Sequence, residues 1–204
     1  MNAPGIIGLT GGIATGKSTF LDVFVKTGNP EVFRADACVR ALLESDPGVA
    51  DEIRRRIDPA ACGPDGTPDR TFLRSLIFND DGARRTLEEI LHPRVRETWT
   101  RLAAQCRKAG RAFVADIPLL FETAAEDRFD AVICISCSPA IQRRRLLQRP
   151  GITPDLAKKM IDSQMDAATK EHRSHHVVWN DGSLDALTRQ ADFLARILIH
   201  ARTG

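Results

Sequence analysis

The sequence predicts an α/β protein built on a parallel sheet, and three observations predict it. Five short apolar runs recur along the chain: Ile6 to Thr10, Glu31 to Ala35, Ala112 to Ile117, Ala131 to Ser136 and His176 to Trp179. Each is flanked by helical periodicity, and continuous apolar strands separated by helices belong to a parallel sheet covered on both faces. A glycine-rich turn follows the first run directly, on the sheet edge where open α/β sheets bind ligands.

Taken in order, the first helix is expected to begin within that turn and to run to about Lys26, with Phe20, Val23 and Phe24 at i, i+3, i+4 spacing. The stretch Gly28 to Pro30 ends it. Between the second and third runs lie roughly seventy-five residues, far more than the dozen or so a crossover needs. Leu87, Leu91, Val95 and Leu102 mark one long helical face there, after the turn-rich Cys62 to Asp69. This is read as a helical substrate subdomain over about residues 59–110. After the fourth run, Ser138-Pro139 reads as an N-cap with proline at the first helical position, Pro150-Gly151 breaks the chain, and Thr153-Pro154 starts another helix. Two helices joined by a breaker make a lid over about residues 138–172. Ser183 caps a closing helix in which Leu184, Leu187, Ala191, Leu194 and Leu198 keep an amphipathic rhythm. The core is then about residues 1–58, 111–137 and 173–204, and the chain forms one domain.

Composition narrows the classes of partner. With 204 residues, 43% hydrophobic and 27% charged, the chain can bury a full core as one folding unit. A net charge of +2 leaves no broad cationic surface, so no nucleic-acid partner is expected. Met1 to Gly5 carries no leader pattern and no apolar run reaches the ~18 residues that span a bilayer, so a cytoplasmic protein with no membrane partner is expected. Five cysteines at irregular spacing fit reduced thiols better than a disulfide framework.

The glycine-rich turn is Gly11-Gly12-Ile13-Ala14-Thr15-Gly16-Lys17-Ser18, a complete P-loop pattern between strand and helix. Backbone N–H groups of such a loop wrap a β-phosphate, the lysine bridges β- and γ-phosphates, and the serine hydroxyl serves Mg²⁺. Gly12, Ala14, Thr15, Gly16, Lys17, Ser18 and Thr19 are therefore the candidate ATP-binding residues, with Ser18 also a metal candidate. The loop alone does not separate a kinase from a GTPase or a motor ATPase. No Asn-Lys-x-Asp segment reads guanine, since Asn180-Asp181 lacks the intervening lysine. The insertion and the arginine-rich lid favour a small-molecule kinase, which must keep water from the acceptor.

The run Gly8-Leu9-Thr10-Gly11-Gly12-Ile13, continuing through Lys17-Ser18-Thr19, resembles the opening of the dephospho-coenzyme A kinases. Ala35-Asp36 with Arg40, Leu91-His92-Pro93, Pro118-Leu119-Leu120-Phe121-Glu122, Arg145 and Arg149, Gln164, Lys170, and Asn180 with Gly182 follow in that family's order, over nearly the whole chain. The resemblance implies a P-loop NTPase, NMP-kinase-like three-layer fold with a five-stranded parallel sheet. It implies transfer of the ATP γ-phosphoryl to the ribose 3′-hydroxyl of dephospho-coenzyme A, with Mg²⁺ as cofactor. It also implies ATP contacts at Arg145, Arg149 and Asn180, and substrate contacts at Thr10, Asp36, Arg40, His92, Leu120 and Glu122. The chain departs from the family where Arg34 and His175 stand in place of aspartates.

Each candidate also has a plain structural reading. Asp36, just past the second strand, either accepts the hydroxyl proton or caps the next helix. Arg40 shares its helix face and either holds a substrate phosphate or is solvated. His92 touches substrate or sits at a kinked helix start before Pro93; Asp116, ending the third strand, reaches a magnesium-bound water or is merely solvated there; Glu122 orients substrate or caps a helix. Ser138 to Arg149 holds four arginines and no acid, and Arg145 and Arg149, four apart, are expected on one face toward the phosphates. The Cys134-x-x-Cys137 pair and the His172, His175, His176 group are read as structural rather than metal-binding. The competing functions are a P-loop kinase for another nucleotide or small metabolite, and a regulatory nucleotide-binding module.

Overall fold

The structure is a computed structural model and describes residues 5–200; the expectations on residues 1–4 and 201–204 lie outside the described residues. The chain divides into two compact units, one of residues Met1–Phe33 with Ala103–Gly204 and one of residues Arg34–Leu102.

The first unit is organised by a five-stranded parallel sheet with strand order β2-β3-β1-β4-β5. Its strands are β1 (Ile6–Gly11), β2 (Glu31–Arg34), β3 (Phe113–Asp116), β4 (Ala131–Ser136) and β5 (His176–Trp179), within a residue or two of the apolar runs. β1 and β4 are buried at every residue, as a sheet covered on both faces requires. Leu9 of β1 pairs with Asp116 of β3, and Thr10 with Cys134 of β4, so the polar ends of β3 and β4 flank the start of the glycine-rich loop.

Helix α1 (Lys17–Gly28) leaves that loop and lays Phe20, Leu21 and Phe24 against α9 (Leu184–Ala195), where Leu187, Ala191, Leu194 and Ala195 meet them in one apolar cluster. The Phe20 and Phe24 rings stack at 5.6 Å. Ser183 caps α9 by accepting from the Ala186 N–H, as expected. The 138–172 segment contributes α6 (Pro139–Leu147), α7 (Pro154–Asp162) and α8 (Ala167–Arg173). Ser138 and Thr153 cap the first two with proline at the first helical position, again as the sequence predicts. Gly151 between them has φ 76°, the conformation of a chain breaker.

The second unit is helical: α2 (Ala35–Ser45), α3 (Pro47–Arg56), α4 (Arg70–Asn79) and most of α5 (Asp81–Lys108). It begins at Arg34, well before the expected boundary near residue 59. Packing is the reason, because Leu43 of α2 and Val49 and Ile53 of α3 share one core with Leu73, Leu87, Ile90 and Leu91. The expected end near residue 110 also moves, to Leu102, and α5 continues into the first unit from Ala103. Pro93 lies inside α5 rather than at a helix start, so the expected kinked start at His92 is replaced by an uninterrupted helix of 28 residues. Among the described residues no helix is long and apolar enough to cross a membrane.

Candidate active site

The site grows from the junction of β1 and α1. Gly16, the N-cap of α1, has φ 96°, and a Cβ there would lie 2.2 Å from Asn180 Nδ2, so only glycine serves. Ala14 is also left-handed, at φ 61°, a conformation that costs on the order of 1 kcal/mol or more for a residue with a side chain. The strained loop is held from outside. Thr15, buried, presents a carbonyl that accepts from Asn180 Nδ2 at 2.8 Å and Arg145 Nη1 at 3.3 Å, and Arg145 Nη2 also donates to the Asn180 carbonyl at 2.9 Å. Arg145 and Asn180, both expected near ATP, thus brace the loop backbone.

Lys17, the first residue of α1, donates from Nζ to Asp116 Oδ1 at 2.5 Å, and each side chain is only about a tenth exposed. The pairing puts the loop's cation and the carboxylate ending β3 at one spot. Ser18 and Thr19 are exposed in the first turn of α1, where backbone N–H groups have no helical partner and the helix dipole favours anions. The Ser18 hydroxyl and the Asp116 carboxylate are hard oxygen donors. Among the described residues no group of three or more His, Cys, Asp or Glu side chains could hold a metal, so the site has few protein ligands of its own. A magnesium ion that keeps its waters and binds mainly through nucleotide phosphates fits such a donor set.

Behind β3 the chain turns at Pro118. Its carbonyl accepts from Thr10 Oγ1 at 3.1 Å and from Lys170 Nζ at 2.9 Å. Lys170, 1% exposed on α8, also pairs with Glu122 Oε1 at 2.8 Å, and that oxygen accepts the Met165 N–H at 3.0 Å. Glu122 therefore neither caps a helix nor stands free: it ties the turn after β3 to the chain between α7 and α8. Leu120, expected to touch substrate, has its side chain wholly buried where a Cβ on Gly8 would meet it, which is a packing role. Arg149 lies two residues beyond the end of α6 and is exposed, so it does not share a helix face with Arg145 as expected.

In the helical unit, Asp36 is the second residue of α2 and is exposed. Arg34 occupies the cap position in extended conformation, which removes the N-cap reading of Asp36 and leaves it as a first-turn carboxylate. Arg40, also exposed, stands one turn on. His92 is half-buried on α5, and its desolvation pushes its pKa below the ordinary histidine value, with Glu88 opposing and Arg96 adding to the shift.

The departures from the family pattern are absorbed by the fold. His175 Nδ1 accepts the Val132 N–H at 3.0 Å, filling the ladder position just before β5 begins. The neighbouring His176 has its pKa lowered, first by burial and then by His175. Burial raises the Cys134 thiol to about 11 and pushes up Cys137, so neither is a thiolate. Residues missing from the sequence-based site are Lys170, Gln142 and Gln164. The family order includes the last of these and Lys170, but no local pattern assigns any of them a partner.

A family model described as dephospho-CoA kinase matches residues 5–186. A dephospho-CoA kinase of Anaeromyxobacter dehalogenans is 41% identical over 98% of this chain and 93% of its own. That of Symbiobacterium thermophilum is 38% identical over 92% of this chain and 78% of its own. Among solved structures, one from Thermus thermophilus is similar with TM-score 0.76 and 29% identity, covering 96% of this chain and 98% of that one. A dephospho-CoA kinase from Campylobacter jejuni shares the fold with TM-score 0.65 and 23% identity, covering 96% and 97%.

Proposed function

The chain belongs to the dephospho-CoA kinase family, a family of coenzyme A biosynthesis, and from that premise we propose that it moves the γ-phosphoryl of ATP to the ribose 3′-hydroxyl of dephospho-coenzyme A. The observation that carries the reading is the phosphate cradle, a braced P-loop whose Lys17 meets Asp116 at the end of β3. Phosphoryl transfer needs positioning and charge neutralisation more than covalent chemistry. Backbone amides of residues 14–19 and the Lys17 ammonium hold the β- and γ-phosphates. Ser18, through its hydroxyl, and Asp116, through its carboxylate, would hold Mg²⁺, which would neutralise phosphate charge. Lys17, released from Asp116 by the incoming phosphates, moves its charge to where the transition state develops it.

Asp36 is the proposed acceptor of the 3′-hydroxyl proton, and Arg40 the proposed partner of a substrate phosphate. Both are exposed on the first turns of α2, so neither is committed to packing. Thr10 acts through the Pro118 turn to which it is bonded, and Glu122 through Lys170, which bonds the same turn, rather than by contact. All five cysteines are free thiols, which suits a reducing compartment, and we extend the reading to the cytoplasm.

The test is ADP release with purified protein and Mg²⁺, offering dephospho-coenzyme A beside nucleoside monophosphates and gluconate. The reading expects acceptor-dependent release with dephospho-coenzyme A alone and a product carrying one new phosphate at the 3′ position. Release driven equally by gluconate or a nucleoside monophosphate would replace the acceptor. Release independent of any acceptor would leave a regulatory nucleotide-binding module.

A further inference from the structure

We propose that Gln142 and Gln164 are positioning residues of the nucleotide cradle, two side-chain amides that grip the backbone of Ile13 at the tip of the P-loop and so set the affinity for the nucleoside triphosphate. The proposal rests on reading the P-loop as the ATP site. Gln142 lies on α6 and Gln164 two residues past the end of α7. Gln142 Nε2 donates to the Ile13 carbonyl at 2.9 Å, and Gln164 Oε1 accepts from the Ile13 N–H at 2.9 Å. The two roles cannot be exchanged, because a backbone carbonyl only accepts and a backbone N–H only donates. Both amides are therefore oriented by the loop they hold.

Ile13 is where the loop needs such support. On one side the Gly12 carbonyl accepts the Thr15 hydroxyl at 2.9 Å, and on the other Ala14 is kept at φ 61°. The braces at Thr15 come from Arg145 and Asn180, which leaves the tip itself to the two glutamines. Gly12 fits the same contact: the P-loop pattern does not demand glycine there, and a Cβ at Gly12 would lie 2.8 Å from Gln142 Nε2, so the amide would have to shift from its place. The second glycine of the pair makes room for this amide. Because one glutamine stands on α6 and the other just past the end of α7, a shift of either helix is transmitted directly to the amides of the phosphate loop.

The experiment uses four variants of the full chain and measures ADP and ATP affinity by calorimetry without acceptor, with melting temperature and the KM for dephospho-coenzyme A alongside. Gln142→Met and Gln164→Met keep side-chain length and remove the bonds; each is expected to weaken nucleotide binding roughly threefold to tenfold, the usual range for one hydrogen bond. Melting temperature and the acceptor KM should stay at the wild-type values. Gln142→Glu and Gln164→Glu add the same negative charge, but only the latter keeps its bond, since a carboxylate accepts and does not donate. Gln142→Glu should therefore bind nucleotide at least about threefold more weakly than Gln164→Glu. Wild-type affinity in the methionine variants, equal affinity in the two glutamate variants, or affinity falling only in step with melting temperature would overturn the proposal. A wild-type protein that binds ATP but phosphorylates a different acceptor would remove the dephospho-coenzyme A reading and leave this one standing.

Discussion

Around the P-loop of the sheet unit, polar side chains are already engaged: Lys17 with Asp116, Arg145 and Asn180 with Thr15, Lys170 with Glu122. In the helical unit the candidate substrate residues Asp36 and Arg40 are exposed, and ion pairs such as Arg94 with Glu52 at 2.6 Å and Arg56 with Glu89 tie one helix to another. The difference teaches how a phosphotransferase divides its work. Charge stabilisation is effective when donors are fixed before the reaction; the loop backbone braced by Arg145 and Asn180 is fixed in this way, while Lys17 is held beside it by Asp116, the partner that the phosphates are proposed to replace. On the proposed acceptor side, Asp36 and Arg40 stand on exposed helix turns, where a bound substrate would order them.

Removing the cation of the cradle should produce the largest effect. Lys17→Ala is expected to lower kcat by about 10²- to 10³-fold or more, as loss of a fixed transition-state donor does. It also strips the buried Asp116 of its counter-charge, so the melting temperature should fall; Lys17→Ala combined with Asp116→Asn should restore stability without turnover. Calorimetry with steady-state rates reads both, and near-wild-type turnover in the folded single variant would break the assignment of Lys17.

Lys170→Met asks whether the engaged residues of the sheet unit also carry its stability. It leaves Glu122 and the Pro118 carbonyl without their buried donor, and a loss of about 3 kcal/mol is expected from chemical denaturation. A change below about 0.5 kcal/mol, the size of an exposed pair, would show the tie to be superficial.

Asp36→Asn probes the other unit with an opposite signature. The expected result is a kcat lower by about 10²-fold, the smaller end for a general base because proton loss is late in a loose transition state. ATP affinity and melting temperature should not move, since Asp36 is neither cap nor core. A drop under about threefold with both substrates bound normally would leave the proton to water.

The smallest effect is one of pH. His92 of the helical unit and His176 of the sheet unit both have pKa values lowered chiefly by burial. A depressed histidine favours the fold in its neutral form, so each contribution is full above the unfolded value of about 6.5 and is lost as pH falls through the folded value. Urea midpoints should therefore decline from about pH 7 toward pH 5, and His92→Gln and His176→Gln should each remove part of that slope. A slope unchanged in both would show the burial to be without consequence for stability.

What the sequence determined by itself is what short-range geometry dictates. The five strands, the P-loop at the β1–α1 junction, and the caps Ser138, Thr153 and Ser183 all rest on spacing within a few residues, where backbone sterics and local hydrogen bonds decide. The tertiary structure alone decided which helices share a core, so that α2 and α3 joined α4 and α5 and the unit boundary moved to Arg34. It likewise carried α5 through Pro93, sank the Leu120 side chain, set Arg149 beyond α6 and turned Glu122 toward Lys170. The grips on Ile13 span 129 and 151 residues of chain. No local propensity encodes such pairs, because a glutamine amide or a lysine ammonium takes whatever partner the packed helices bring within 3 Å.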